Sequence, residues 1–425
     1  MIVMIVGASG FIGGRLAQGL GAAGHEVVCA GRGEPARLPA GCTRWVTLDF
    51  AAPLTSEWSR ELAGVDVLIN AVGILRETEG QRFDALHVLG PRALFTAAAI
   101  ANVRRVIQVS ALGADADAVS RYHTSKREAD RFLMELPLDW AIVQPSIVYG
   151  AGGASARMFE TLASLPIVPV PGRGEQRIQP VHIDDLVDAV THLVESPAAL
   201  HCVLPVVGPR ELSLREFLVE LRGALGMGRA RTLSMPGSVV AFAARLGEKF
   251  PSPLLDPETL GMLERGNVGP SGPMERLLGR PATPVARFVS PARRESRRAA
   301  ASLRWITPLL RITVAAMWLI AGIVSLGAYP VQDSVALLMS MGVSATLAPL
   351  MLFGASALDI LLGVLTLLPR RPRWLWTLQI LLVLGYTLII TIELPALWLE
   401  PFGPVAKNLP ILALLVLLRQ FEERR

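Results

Sequence analysis

The chain has 425 residues, of which 52% are hydrophobic and 18% charged, and its formal net charge is +5. This length leaves room for two or three domains, and the apolar fraction exceeds what a soluble enzyme needs. The three cysteines, Cys29, Cys42 and Cys202, are far apart and form no CxxC pattern. Their spacing indicates neither a disulfide framework nor a zinc site, so we expect three separate buried thiols.

The excess of positive charge lies beside long apolar runs. A basic chain can bind nucleic acid through phosphate contacts, but arginines that flank apolar runs are typical of membrane proteins, where they mark the cytoplasmic side. The flanking groups are Arg293, Arg294, Arg297, Arg298 and Arg304, then Arg370, Arg371 and Arg373, and finally Arg419, Arg424 and Arg425. We therefore expect a membrane lipid bilayer as a partner and no nucleic acid.

The first 150 residues alternate short apolar runs with helical patterns. The runs are MIVMIV, HEVVCAG, VDVLINAVG, VRRVIQVSA and LDWAIVQPS. Continuous apolar runs are typical of strands buried on both faces, and the spacing leaves room for crossover helices. This rhythm predicts an α/β fold, a Rossmann doubly wound parallel sheet. The N-terminus lacks the basic start of a signal peptide, so we expect this domain in the cytoplasm.

The βα rhythm is lost after Gly150, where shorter helices punctuated by proline and glycine predict a small substrate lobe. Ser213 and Glu216 there form a capping-box signature at a helix start. Residues 270–300 resemble a linker that ends in a basic, partly helical stretch. We expect a Rossmann core over 1–150, the rest of that domain over 151–290, a basic linker over 291–303 and an all-α transmembrane bundle over 304–419.

A glycine-rich turn follows the first predicted strand and leads into a helix. Its residues are Gly7, Ala8, Ser9, Gly10, Phe11, Ile12 and Gly13. Glycines allow a tight turn and let the backbone approach a pyrophosphate at the helix N-terminus. The strand–turn–helix context predicts a dinucleotide site.

The residue at the end of the second strand indicates which dinucleotide the site prefers. An NAD site usually offers an acid there to the ribose 2′-hydroxyl, whereas this chain has Arg32, which suits a 2′-phosphate. We therefore expect NADP(H) in preference to NAD(H). Asp49, after the third short strand, either contacts the adenine amine or caps a helix.

Polar residues that could carry hydride chemistry follow the later strands. Ser110 stands at one strand end, and Tyr122 and Lys126 lie four apart on a helix, hence on one face. An ammonium beside a phenol favours the phenolate, and a serine hydroxyl can bind the same substrate oxygen. Such a set is a general acid or base for chemistry at a carbonyl.

These motifs, GASGFIG, NAVG, VSA, YHTSK, QPSIVYG and VHIDDL, resemble the extended or atypical short-chain dehydrogenase/reductase family over Met1 to Arg287. The resemblance implies that Gly7, Gly10 and Gly13 hold the pyrophosphate, with Ser9, Phe11 and Ile12 beside it, and that Val72 and Gly73 flank the adenine-ribose side. It also implies a catalytic set of Ser110, Tyr122 and Lys126, with Lys126 on the nicotinamide ribose and Pro145 lining the nicotinamide pocket.

Two positions depart from the family pattern. The first glycine lacks the usual preceding threonine, and Gln144 stands where an arginine commonly precedes the proline. The atypical features resemble the branch of the complex I accessory subunit of about 39 kDa, whose members bind NADPH and are thought to act structurally. His182, Asp184 and Asp185 fit a strand followed by an acidic helix start, so we expect no metal there.

Four apolar runs close the chain: Trp305 to Leu326, Leu347 to Leu368, Trp374 to Leu394 and Val405 to Leu418. A span needs roughly 20 apolar residues, so three qualify, and the short fourth needs Lys407 to reach the interface. About four spans, with the N-terminal domain and the C-terminus in the cytoplasm of a bacterial inner membrane, satisfy the positive-inside rule. Three spans and a re-entrant segment are the alternative.

Asp359 lies within the second run and Glu393 ends the third, and an ionisable group at membrane depth indicates function or a pairing partner. The runs resemble the DoxX-like family, whose link to quinone respiration implies a quinone-like substrate. The sequence thus predicts a membrane-anchored NAD(P)-dependent oxidoreductase of a lipophilic carbonyl or hydroxyl compound. The alternatives are a non-catalytic NADPH-binding structural or sensor module, and an epimerase or dehydratase with tightly held NAD.

Overall fold

The computed structural model describes residues 1–51, 55–242, 257–369, 371–401 and 403–422. The chain divides into two compact units, Met1–Ala301 and Ser302–Arg425. Three arginines of the predicted flanking groups, Arg370, Arg424 and Arg425, lie outside the described residues.

The first unit is built on a parallel sheet. Its described strands are β1 (Ile2–Val6), β2 (Glu26–Gly31), β3 (Arg44–Thr47), β4 (Val67–Asn70), β5 (Arg105–Val109), β6 (Asp139–Pro145), β7 (Val148–Tyr149), β8 (Ile167–Pro171), β9 (Arg177–Ile178), β10 (Val181–His182), β11 (Cys202–Val206), β12 (Leu212–Ser213) and β13 (Arg231–Met235). Seven of them form one sheet in the order β11-β6-β5-β4-β1-β2-β3, and every pair in it is parallel. The other strands form two-stranded sheets. The predicted Rossmann fold is confirmed.

The described helices of this unit are α1 (Phe11–Ala22), α2 (Thr55–Glu61), α3 (Gly90–Ile100), α4 (Arg121–Glu135), α5 (Ala154–Ser164), α6 (Ile183–Glu195), α7 (Leu214–Ala224), α8 (Pro257–Arg265) and α9 (Gly272–Leu278). A π-helical turn, Asp84–Leu89, leads directly into α3. Helix α7 begins with the predicted capping box of Ser213 and Glu216.

Successive residues of each strand enter different cores, because side chains alternate across a sheet. Val3 and Ile5 of β1 pack with α1 and α6 on one face, whereas Met4 and Val6 pack with α3 and α4 on the other. The strand order reverses beside β1, between β4 and β2. In sheets of this type, ligands bind at that switch point, outside the carboxyl ends of the strands.

The sheet is not complete at residue 150, because its edge strand β11 comes from Cys202–Val206. The linker resemblance over 270–300 does not hold for its first part. Met274 and Val285 are buried in the cores, inside the range 151–290 that was assigned to the domain. Asp185 at the start of α6 holds this segment in place. Its carboxylate accepts hydrogen bonds from Arg280 at 2.7 Å and from the Thr283 backbone N–H at 2.7 Å.

The expectation of separate thiols at Cys29 and Cys42 is wrong. Their Cα atoms are 5.9 Å apart and the two residues form a disulfide. Cys29 lies in β2 and Cys42 just before β3, its parallel neighbour. A return loop joins them across a sequence separation of 13, which matches no short cysteine motif. Cys202 is a free thiol.

The second unit is helical. Its described helices are α10 (Arg294–Ile323), which begins in the first unit, α11 (Val331–Ser340), α12 (Leu347–Leu367), α13 (Trp374–Glu393) and α14 (Asn408–Glu422). Three helices are long and apolar enough to cross a membrane, within Pro291–Ala328, Leu347–Leu367 and Trp374–Glu393. Helix α14 has 15 residues, so a fourth span stays a prediction.

Some polar side chains inside this helical unit are hydrogen-bonded to each other, whereas Asp359 has an oxygen without a hydrogen bond in the described part of the chain. The Trp318 Nε1–H donates to Gln379 Oε1 at 2.8 Å, and Gln379 Nε2–H donates to Thr366 Oγ1 at 3.1 Å. Asp359 is 9% exposed, and its Oδ1 atom accepts no hydrogen bond among the described residues. Glu393 ends α13 and is exposed.

Candidate functional site

The glycine turn fits closely against the end of β4. Gly7 has φ +86°, and a Cβ on it would lie 2.9 Å from the backbone nitrogen of Val72. A Cβ on Gly13 would lie 2.3 Å from the carbonyl oxygen of Gly7. Helix α1 begins directly after this turn, with Gly10 as N-cap and no acidic residue in its first turn. Bare backbone at a helix N-terminus is what a pyrophosphate requires, so the turn fits a dinucleotide.

The side chains within the turn have separate roles. Phe11 packs into a notch formed by Gly150 and Gly153, where added Cβ atoms would lie 3.0 and 3.2 Å from its ring. Ile12 packs partly buried against the core under the sheet. Ser9 is exposed beside Gly31, with its hydroxyl 3.7 Å from where a Cβ would stand.

Arg32 is exposed and follows directly after β2. Its guanidinium donates to the side-chain oxygen of Gln81 at 2.6 and 3.0 Å when that amide is oriented to satisfy both groups. The carboxylate of Asp49 accepts a hydrogen bond from the Ala51 backbone N–H at 2.9 Å. Asp49 thus closes a turn after β3, and its contact with an adenine amine stays a prediction.

Lys126 lies at the carboxyl edge of the sheet, between the ends of two strands. Its Nζ donates to the carbonyl oxygens of Val72 at 2.9 Å and Val109 at 3.1 Å. A Cβ on Gly73 would lie 3.1 Å from the same nitrogen. Burial lowers the pKa of Lys126, and the charge of Asp130 raises it. Pro145 is buried at the neighbouring strand end, where its carbonyl accepts the Leu112 N–H at 3.0 Å.

Ser110 does not bond to Tyr122 or Lys126 in the described part of the chain. Its hydroxyl donates to Oδ2 of Asp130 at 2.5 Å, and both residues are 3% exposed. Asp130 lies on α4 one turn beyond Lys126. The sequence analysis did not single out Asp130, although the four-residue spacing that joins Tyr122 to Lys126 also joins Lys126 to Asp130.

Tyr122 is half-buried among aromatic rings at the start of α4. Its ring centroid is 5.7 Å from that of His87, 6.2 Å from that of Phe83 and 5.2 Å from that of His123. Burial, followed by the charge of Asp130, raises the pKa of Tyr122 to about 12. Burial and Asp130 thus outweigh the lowering of this pKa that the Lys126 ammonium was expected to cause, and that ammonium donates to two backbone carbonyls.

His87 is a functional candidate that sequence reasoning missed. It lies in the π-helical turn and is 1% exposed. The Ile74 N–H donates to its Nε2 at 3.0 Å, so Nδ1 carries the proton and donates to Ser125 Oγ at 2.9 Å. The Ser125 hydroxyl in turn donates to the Tyr122 carbonyl at 2.8 Å. Burial and the Lys126 ammonium lower the pKa of His87 to about 2.

The three predicted acidic and histidine residues near α6 have structural partners. The His182 side chain caps α6 by accepting the Asp184 N–H at 3.3 Å, and Asp184 pairs with Arg15. Asp185 binds Arg280 and Thr283, as described above. Each of the three side chains thus has a partner within the first unit.

Comparison with known proteins agrees with this division of the chain. A family described as NAD(P)H-binding matches residues 7–160, and a DoxX-like family matches residues 315–416. A ceramide reductase of Caulobacter vibrioides is 27% identical over 276 residues, which are 61% of this chain and 82% of that protein.

Two further proteins are similar to part of this chain. NADH dehydrogenase (ubiquinone) 1 alpha subcomplex subunit 9 of Dictyostelium discoideum is 25% identical over 224 residues, 51% of this chain and 62% of the subunit. The chain thus spans less than two thirds of that subunit. The crystal structure of an NADPH-dependent quinone oxidoreductase from Escherichia coli matches with a TM-score of 0.53 at 18% identity, covering 68% of this chain and 98% of that one. The chain therefore combines an NAD(P)-binding Rossmann domain with a DoxX-like helical domain.

Proposed function

We propose that this protein is a membrane-bound, NADP(H)-dependent oxidoreductase that acts at a carbonyl or hydroxyl group of a lipophilic small molecule. One observation carries the proposal: α4 presents Tyr122 and Lys126 one turn apart, beside Ser110, at the carboxyl edge of the sheet that also carries the glycine turn. A nicotinamide held in this site would supply or take up hydride. The protein's own side chains would bind and orient the substrate and would transfer the proton.

Tyr122 is the proton donor in this proposal. A phenol whose pKa is about 12 stays protonated at neutral pH, which suits donation to a carbonyl oxygen during reduction. Reduction breaks the C=O π bond and forms one C–H and one O–H bond, with the oxygen taking its proton from the Tyr122 hydroxyl. The buried ammonium of Lys126 offsets the negative charge left on the phenol oxygen.

Arg32 supports NADP(H) as the cofactor. It is an exposed cation at the end of β2, where a ribose 2′-substituent lies in folds of this type. A guanidinium forms charge-assisted hydrogen bonds with a phosphate, and the neutral Gln81 that it now contacts is a weaker partner.

Two observations support a lipophilic substrate. The similar Caulobacter protein is named for a lipid, and three of the described helices of this chain are long and apolar enough for a bilayer. We propose a lipid or quinone-like carbonyl as substrate on these grounds.

A second candidate function is a structural or sensor module that holds NADPH without turnover. The similarity to a subunit of a respiratory complex favours it. So does the bonding of Ser110 and Lys126, because the serine hydrogen and two of the three ammonium hydrogens are already donated within the protein.

Nucleotide titration of the full chain in mild detergent tests the cofactor and, with it, both functions. We expect NADPH to bind more tightly than NADH, and Arg32→Ala to weaken NADPH binding about tenfold or more while leaving NADH unchanged. Arg210→Ala, which removes an exposed arginine of the substrate lobe, is the control. Absence of binding to either nucleotide would refute both functions.

Turnover separates the two functions. If the protein binds NADPH, reduction of lipid and quinone carbonyls that is lost in Tyr122→Phe supports the enzyme. Tight NADPH binding with no consumption across such a panel supports the module.

We also propose that the protein lies in a bacterial inner membrane with its first unit in the cytoplasm. The arginine-rich start of α10 and the lysine- and arginine-free segment around α11 support this orientation. In a chain whose three cysteines are replaced by alanine, Ser344→Cys should react with an impermeant maleimide in spheroplasts. Ser290→Cys should react only after permeabilisation, and the reverse pattern would invert the topology.

A further inference from the structure

The bond between Ser110 and Asp130 places a buried carboxyl group against the predicted catalytic set. Ser110 Oγ donates to Asp130 Oδ2 at 2.5 Å, and each residue is 3% exposed. The other carboxyl oxygen of Asp130, Oδ1, accepts no hydrogen bond within the described residues. A buried carboxyl with an unsatisfied oxygen is costly, so its retention beside a reactive site calls for a role.

Polar or charged groups from three elements surround Asp130. Lys126 and Tyr122 lie on its own helix α4, Gln108 comes from β5 and Gln144 from β6. The nearest ammonium, that of Lys126, bonds to the carbonyls of Val72 and Val109 rather than to the carboxylate. Asp130 therefore forms no ion pair within 4 Å in the described chain. Its charged form is favoured by the Ser110 hydroxyl, then by the charge of Lys126 and by the amides of Gln108 and Gln144.

A serine hydroxyl has a single hydrogen to donate. While Ser110 gives that hydrogen to an ionised Asp130, its oxygen can only accept a hydrogen bond from a substrate. Once Asp130 binds a proton, the carboxylic acid can donate to Ser110, and the serine hydrogen becomes free to turn toward the substrate. The two states of one carboxyl group thus give Ser110 opposite roles.

We propose that Asp130 is a positioning residue whose protonation decides whether Ser110 donates to a carbonyl substrate or accepts from a hydroxyl substrate. This inference rests on the oxidoreductase function proposed above. A carbonyl oxygen offers only lone pairs, so its reduction needs the protonated form of Asp130. A hydroxyl offers a hydrogen, so its oxidation suits the ionised form.

The direction of the pH effect follows from the surroundings of the carboxyl. Burial raises the pKa of Asp130 above the ordinary range, although Ser110 and Lys126 partly oppose that rise. Protonation of Asp130 therefore sets in at a higher pH than for an exposed carboxyl. The kcat/KM for carbonyl reduction should increase as the pH falls through this range, and the kcat/KM for hydroxyl oxidation should increase as the pH rises.

An infrared titration of the full chain in detergent tests the coupling without any turnover. The band of the protonated carboxyl that belongs to Asp130 is identified by its loss in Asp130→Asn. Ser110→Ala removes the hydrogen bond that favours the charged form, so proton affinity of Asp130 should rise about tenfold or more. An unchanged titration in Ser110→Ala would overturn the proposal.

Steady-state reduction of phenanthrenequinone by NADPH supplies the functional readout. The wild-type kcat/KM should fall as pH rises through the titration of Asp130, whereas Asp130→Asn should remove that dependence. Glu128→Gln, an exposed carboxyl of the same helix paired with Arg92, should keep the wild-type profile. A wild-type profile in Asp130→Asn, with NADPH binding intact, also overturns the proposal.

The two proposals fail in different ways. Loss of NADPH binding in the wild-type chain rejects the oxidoreductase function. The infrared titration of Ser110→Ala decides the link between Ser110 and Asp130 even if the quinone is not reduced. If Asp130→Asn does not fold, Asp130→Glu, which shifts the carboxyl band without removing it, assigns the band instead.

Discussion

The carbonyl oxygen of Gly7 fills the space that a Cβ on Gly13 would need, because the two atoms would lie 2.3 Å apart. The turn between β1 and α1 therefore tolerates no side chain at Gly13 without moving the backbone. Since the same backbone is the proposed pyrophosphate cradle, Gly13→Ala should weaken NADPH binding about tenfold to hundredfold in a fluorescence titration.

Gly33→Ala is the matched control for that substitution. A Cβ on Gly33 would meet no atom within 4 Å. Gly33 follows Arg32 and so lies near the same site. Equal losses of binding in the two variants would mean that the cradle does not depend on the contact of Gly13 with Gly7.

Acid should destabilise the protein through His87. Its pKa in the folded chain is about 2, below the unfolded value of about 6.5, so below pH 6.5 the unfolded chain binds a proton that the folded chain does not. The contribution of His87 to the free energy of unfolding therefore falls as the pH drops below 6.5. The loss is about 2 kcal/mol between pH 7 and pH 5.

Replacement of the imidazole removes that acid sensitivity. His87→Asn should be less stable than wild type at pH 8, because the bonds to Ile74 and Ser125 weaken, but should lose less stability on acidification. Denaturant unfolding at several pH values measures both effects, with His192→Asn at an exposed histidine as control. If the free energy of unfolding of His87→Asn fell with pH as steeply as that of the wild type, His87 would not be the source of the acid sensitivity.

Arg105 of β5 links β6 to the end of α6 and the segment that follows it. It is 0% exposed, pairs with Asp139 at 2.6 Å and donates to the carbonyl oxygens of Leu193 and Ala198 at 2.6 and 2.7 Å. Arg105→Met leaves these acceptors buried without a donor, so it should lower the free energy of unfolding by about 3–5 kcal/mol. Thermal unfolding measures the loss, and Arg104→Met at the exposed neighbour should change little.

Asp359 should destabilise the helical unit that contains it. A buried carboxyl whose Oδ1 has no hydrogen-bond partner among the described residues costs free energy, so Asp359→Leu should raise stability against unfolding in detergent by about 2 kcal/mol. Asp333→Leu replaces an exposed carboxyl of α11 and serves as the control. Destabilisation in Asp359→Leu would instead mean that this carboxyl forms a stabilising contact.

The periodic parts of the fold were readable from the sequence. Apolar runs buried on both faces predicted β1, β2, β4, β5 and β6, and the glycine turn was recognisable because its chemistry is local. The linker over 270–290 was misread, since proline and glycine suggested exposure. Its burial depends on the distant Asp185, whose bond to Thr283 spans 98 residues.

The site was only partly readable for a similar reason. Tyr122 and Lys126 share a helix, so their spacing indicated that they lie on one face. The partner of Ser110 and the hydrogen bonds of His87 depend on which elements pack together. No residue pattern near His87 indicates the Ile74 N–H that fixes its tautomer.

The strand order of the large sheet also bears on how the protein is made. Six of its strands end by Pro145, and the edge strand β11 follows at Cys202–Val206, well before the apolar part of α10. Parallel sheets form slowly because their contacts are distant in sequence, but chains fold from the N-terminus as they are synthesised. The nucleotide-binding domain can thus finish its sheet while the hydrophobic segments are still inside the ribosome. Its folding need not compete with membrane insertion.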